Sequence, residues 1–145
     1  MLKKLLLVSV LLLLIGGGIF WLNSPQWLTE FNQQTSQDVT EYRELGTRFG
    51  QTSNQQGCLD QALDQLKQCS GFSCTVRNGH FLKSCWQTAQ PSEGFCEDVP
   101  ELKEELSEDD KSWIKDYCWE RNIGDEGCRI LLRQRMQYCT ENARS

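Results

Sequence analysis

The chain has 145 residues, eight cysteines, 24% charged and 39% hydrophobic residues, and a net charge of −5. Lys3 and Lys4 are the only charges in the first 22 positions, so the remainder carries 20 acids against 13 bases. That balance argues against nucleic-acid binding, which needs a concentrated basic surface, and it permits binding to a basic protein partner.

The first element is an uncharged apolar run from Leu5 to Leu22, 18 residues interrupted only by Ser9 and Gly16–Gly18. This length is just inside the range for a transmembrane helix. Lys3 and Lys4 precede it, so the positive-inside rule puts the N-terminus in the cytoplasm and the rest outside. Residues 1–22 therefore read as a signal-anchor, with residues 5–22 in the membrane. A cleavable signal peptide ending near Gly16–Gly18 is the competing reading. Ile19, Phe20, Trp21 and Leu22 continue the apolar run past that point and favour retention. The short basic flank and the absence of glycosylation sequons fit a bacterial inner membrane with the folded part in the periplasm.

Residues 23–57 are rich in Gln, Ser, Thr, Asn and Gly and read as a polar tether. Within it, Val39, Tyr42, Leu45 and Phe49 recur at helical spacing and predict a short amphipathic helix over 36–49. Thr35 and Asp38 suit its start, and Gly46 and Gly50 suit its end.

Residues 58–145 hold all eight cysteines. Cys58 and Cys69 are 11 residues apart, as are Cys74 and Cys85. Eleven residues turn a helix through three turns plus about 20°, so each pair shares a face. Two helices joined at Ser70–Ser73 then form an antiparallel hairpin with rungs Cys69–Cys74 at the neck and Cys58–Cys85 at the open end. Leu59, Ala62, Leu63 and Leu66 line one arm, and Phe81, Leu82 and Trp86 line the other. The C-terminal half repeats the idea. Ser107–Asp110 is a capping-box pattern, and Asn122–Gly124 is a stop. Cys128, Leu131, Leu132, Arg135 and Cys139 share a side of the last helix, with Arg129, Arg133 and Arg144 elsewhere. Cys118–Cys128 closes the second neck. Cys96–Cys139 follows if a short helix beginning at Asp98–Pro100 folds back. The predicted fold is all-α: an N-terminal membrane anchor helix, a polar tether and two disulfide-stapled antiparallel helical hairpins.

Over Cys58 to Cys85 the ladder resembles, as shared geometry, the twin CX9C hairpins of mitochondrial intermembrane-space proteins. It departs from them in its x10 intervals and its leading apolar segment. An even cysteine count behind an export signal points to disulfides in an oxidising compartment. Zinc sites favour cysteines two to four residues apart with histidines nearby. Only Cys69-x4-Cys74 comes close, His80 is the only histidine, and no Cys-x-x-Cys is present. No metal, cofactor or thiol redox activity is expected.

No catalytic set stands out, and the chain reads as a non-enzyme. His80 lacks an evident nucleophile to serve, and Trp86, Trp113 and Trp119 read as packing residues. The sharpest charge feature is Glu93–Asp110, with nine acids and one base. Helix first turns account for Asp98, Glu101, Glu108, Asp109 and Asp110. As a candidate partner surface the residues are Glu101, Glu104, Glu105, Glu108, Asp109 and Asp110. The expected function is a non-catalytic, membrane-tethered extracytoplasmic binding or accessory domain engaging another envelope protein. One alternative is an inhibitor or immunity protein that blocks a basic secreted enzyme through the acidic 93–110 face. Another is an enzyme acting on envelope polymers.

Overall fold

The computed structural model describes residues 2–143, which form five helices: α1 (Leu2–Gly50), α2 (Gln55–Leu66), α3 (Phe72–Thr88), α4 (Glu108–Glu120) and α5 (Glu126–Asn142). Arg144 lies outside the described residues. No strand occurs among them, and the one extended pairing is an isolated bridge between Asn54 and Gln90. The chain divides into two compact units between Gln37 and Asp38.

In the first unit, α1 is apolar all round from Val8 to Trp21. Its large apolar side chains between Leu6 and Trp21 are 48% to 80% exposed. The Ser9 hydroxyl is satisfied within the helix by the Leu6 carbonyl at 2.9 Å. Among the described residues no helix is long and apolar enough to cross a membrane. The expected span of 5–22 reaches beyond what is described, because the side chains of residues 5, 7 and 22 lie outside that set. The continuously described stretch from residue 8 to residue 21 rises only about 21 Å, against the ~30 Å of a hydrocarbon core.

Residues 23–35, expected to be a loose tether, are helical within α1. Thr35 does not cap a new helix; it sits mid-helix and donates its hydroxyl to the Phe31 carbonyl at 2.8 Å. Gln, Asn, Ser and Thr each cost a helix less than about 0.7 kcal/mol, so a polar composition alone does not end one.

The second unit begins at Asp38, earlier than the expected Cys58. The end of α1 explains why. Gly46 and Gly50, expected only as a helix stop, are both buried contact points against α3. A Cβ on Gly46 would collide with the Phe81 carbonyl, and one on Gly50 would collide with the Cys85 carbonyl and the Thr88 hydroxyl. Two glycines one turn apart thus let the helix backbones approach closely. Around this seat Thr88 donates to the Thr47 carbonyl at 2.9 Å, and the Phe49 and Phe81 rings stand 5.8 Å apart. Arg77 pairs with Asp38 at 3.5 Å and lies over the Tyr42 ring.

Helices α2 and α3 form the first antiparallel hairpin, and α4 and α5 form the second. Helix α5 packs on both α2 and α3, whereas α4 contacts α5 alone among the other helices. The disulfides join Cys58 to Cys85, Cys69 to Cys74, Cys96 to Cys139 and Cys118 to Cys128, with Cα separations of 5.4–6.1 Å. These are the four expected pairs, although Cys96–Cys139 forms without the fold-back helix on which its expectation rested. They mark an oxidising, extracytoplasmic compartment. One detail differs: α2 ends at Leu66, so Cys69 lies in the neck and not on the helical arm. Between the hairpins Leu59, Leu63, Leu82, Leu131, Leu132 and Met136 are fully buried.

The local signals around α4 are equally specific. The Ser107 side chain accepts from the Asp110 N–H at 3.1 Å, and the Asp110 carboxylate accepts from the Ser107 N–H at 3.0 Å. The helix stops in a Schellman motif: Ile123 N–H bonds the Cys118 carbonyl and Asn122 N–H bonds the Trp119 carbonyl. The left-handed residue there is Asn122, with φ 56°, and not the neighbouring Gly124.

No helix forms at Asp98–Pro100. Residues 89–107 run as turns and extended chain, with Asp98 left-handed at φ 54°. Val99 precedes proline, which disfavours helical backbone there. Anchors spaced along the segment hold it open: Phe95 and Leu106 are buried, and the Leu102 N–H donates to Thr140 Oγ1 at 2.9 Å.

Candidate functional site

The expected acidic surface divides once its residues are placed. Asp110 is buried and committed to the capping box. Hydrogen bonding from the Ser107 side chain, then from its backbone, holds the Asp110 carboxyl below its ordinary value; burial opposes this and Lys103 adds to it. Glu108 pairs with Lys111 at 2.7 Å. Glu101, Glu104, Glu105 and Asp109 are exposed. Asp98 and Glu101 begin no helix, so the dipole argument does not apply to them.

His80 is half-buried on α3. Desolvation, with Arg43 and Lys83 nearby, lowers its pKa and favours the neutral ring. Trp86 is buried and donates Nε1–H to the Gln55 carbonyl at 3.0 Å, and Trp113 is half-buried. Trp119, expected to be a packing residue, is 75% exposed at the end of α4. It sits one residue from the core-facing Cys118, so the helix turn carries it outward.

Arg135 occupies the core side of α5 and is buried. Its guanidinium donates to the Phe95 carbonyl and lies over the rings of Phe95, Trp113 and Tyr117 at 4.8, 5.9 and 5.5 Å. No carboxylate stands within ion-pair distance among the described residues. Burial pushes its pKa down, and Arg121 adds to this, while Tyr117 and Asp60 act the other way. A carbonyl and three aromatic faces take the place of a counter-ion.

A groove of about 330 Å³ runs between α4 and α5. Lys111, Ile114 and Lys115 form its α4 wall, and Glu126, Arg129 and Arg133 its α5 wall, with Leu106 beside the buried Ile114. Each wall sets like charges four residues apart, Lys111 with Lys115 and Arg129 with Arg133. Such pairs face each other on a helix and cost about 0.2–0.5 kcal/mol each. Glu108 offsets Lys111, and Glu126 offsets Arg129 at 3.2 Å. Lys115 and Arg133 have no carboxylate within 4.0 Å among the described residues. Four cations against one acid therefore line a groove on a unit that carries 19 acids and 13 bases from Asp38 onward. The overall negative charge hides this feature, which arises only when two helices meet. The i, i+4 repetition of cations on each helix is the signal that could have revealed it.

Among the described residues no group of three His, Cys, Asp or Glu side chains could hold a metal ion. No family model, curated protein or solved structure matches the chain.

Proposed function

We propose that the protein is a membrane-anchored, non-catalytic binding domain of the cell envelope. In this reading residues 5–22 hold it in a bacterial inner membrane with the N-terminus in the cytoplasm. The disulfide-stapled unit stands in the periplasm and engages another envelope protein. The observation that carries the anchor is the all-round exposure of apolar side chains from Leu6 to Trp21. A helix apolar on every face requires an apolar surrounding, and Leu5, Leu7 and Leu22 extend this run to 18 residues, just inside the range of a spanning helix. The α4–α5 groove supports a binding role, because Lys115 and Arg133 line it with no carboxylate within 4.0 Å among the described residues.

Alkaline carbonate extraction with protease protection tests the reading. The chain stays in the membrane pellet, and its folded unit is digested only after the outer membrane is opened. Release into the soluble fraction removes the anchor and leaves a cleaved signal peptide. In-membrane cross-linking should capture one envelope protein, and failure to capture any rejects the binding role.

The inhibitor reading retains the exposed Glu101, Glu104, Glu105 and Asp109 as its contact residues. It requires binding that weakens when these four are neutralised.

A further inference from the structure

We infer that the α4–α5 groove docks a short acidic segment of a protein partner, with an apolar side chain of that segment seated over Leu106 and Ile114. The inference rests on the binding role proposed above and names the chemistry of the partner. Charge complementarity carries it. Lys115 and Arg133 line opposite walls with no carboxylate within 4.0 Å among the described residues, and each stands one helical turn from another cation. A surface built only for solubility in an acidic protein has no reason to gather like charges in this way. Both arginines present planar forks suited to bidentate carboxylate binding. Glu108 on Lys111 and Glu126 on Arg129 already show carboxylates held at these walls.

Two features select a short segment over a polyanion. The groove, at about 330 Å³, is at the small end of ligand sites. Exposed Glu104, Glu105 and Asp109 lie on the chain immediately around Leu106 and before Lys111, so a long anionic polymer leaving the groove meets like charge. The apolar floor adds what an inorganic anion would not use.

The test uses the full chain in non-ionic detergent and a fluorescein-labelled peptide, Glu-Glu-Leu-Glu-Asp. The expected result is saturable binding that weakens about tenfold or more in Lys115→Glu/Arg133→Glu. It survives in Lys115→Arg, which keeps the charge and adds a fork, and falls several-fold between about 50 and about 300 mM salt. Replacing the peptide leucine by serine weakens binding further. Retained disulfides and helix content show that the double variant is folded. Absence of saturable binding up to about 1 mM peptide overturns the inference, as does equal binding by the charge-reversed chain. Competition by inorganic phosphate or phosphatidylglycerol vesicles as strong as that of unlabelled peptide overturns it in favour of a phosphate site. Self-association that the double variant abolishes and the peptide blocks overturns it in favour of a second copy. Partner capture in membranes that persists in the double variant also removes the groove, yet leaves the anchored binding role intact.

Discussion

Arg135 reaches from α5 to the Phe95 carbonyl and donates to it twice, from Nε at 3.2 Å and from Nη2 at 2.6 Å. Phe95 adjoins Cys96, and Arg135 lies one turn before Cys139, the partner of Cys96. One covalent and one non-covalent tie therefore fasten the same stretch of residues 89–107 to the last helix. Since that stretch has no regular structure of its own, these ties decide where it lies.

Arg135→Ala should destabilise the fold by about 2–3 kcal/mol, because it removes charge-assisted hydrogen bonds and leaves the Phe95 carbonyl buried without them. Arg135→Met, which keeps the bulk under the three rings, should cost less. The urea midpoint at constant m-value measures both. Equal stability of the alanine variant and the native chain would show that the disulfide alone positions the loop.

The two smaller-to-larger rings of the ladder should contribute unequally. Cys96–Cys139 closes a separation of 43 residues and Cys69–Cys74 one of 5. Loop-closure entropy gives about 4 kcal/mol for the first and ~2 kcal/mol for the second. Paired Cys→Ala variants, compared by denaturant unfolding, should show that order. The reverse order would place the effect in native packing around Cys69.

Gly46→Ala should destabilise by about 1–3 kcal/mol, since the added methyl meets the rigid Phe81 backbone and not a movable side chain. Gly124→Ala meets nothing within 4 Å and should be close to neutral. If the two variants unfold at the same temperature, the α1–α3 seat is not a tight one.

Asp110 should make the fold acid-sensitive. Its folded pKa lies below that of the unfolded chain, about 3.9, so its contribution is full above that value. The contribution is lost as pH falls through the lowered folded value. The stability gap between the native chain and Asp110→Ala should therefore be widest at neutral pH and close in strong acid. A gap independent of pH would assign the effect of Asp110 to packing.

These residues also show what was legible in the sequence. The pairs of the first hairpin followed from helical pitch, because 11-residue steps fix which cysteines share a face, whereas Cys96–Cys139 was tied to a short helix that does not form. The box at Ser107 and Asp110 is local chemistry and needs no tertiary context. Gly46 and Gly50 carried two meanings, helix stop and close contact, and only the neighbouring helix decides between them. Arg135 lay on the right side of its helix, but its burial depends on Phe95, 40 residues away. The 98–106 region has helix-like composition, yet Val99–Pro100 and the pull of buried Phe95 and Leu106 keep it open. The cationic groove needs two helices brought side by side; the i, i+4 cation pairs on each helix are written in the sequence, but their meeting is not.

The five-residue step between Cys69 and Cys74 adds least to folding, but it encloses the most accessible turn of the first hairpin. Phe72 projects there with 83% of its surface in solvent, beside Gly71 with open space around it. A protease that cuts between these two residues severs the backbone inside a ring that sulfur keeps closed. The fragments stay joined until a reductant arrives, so the hairpin survives the cut, a durability that an oxidising compartment preserves.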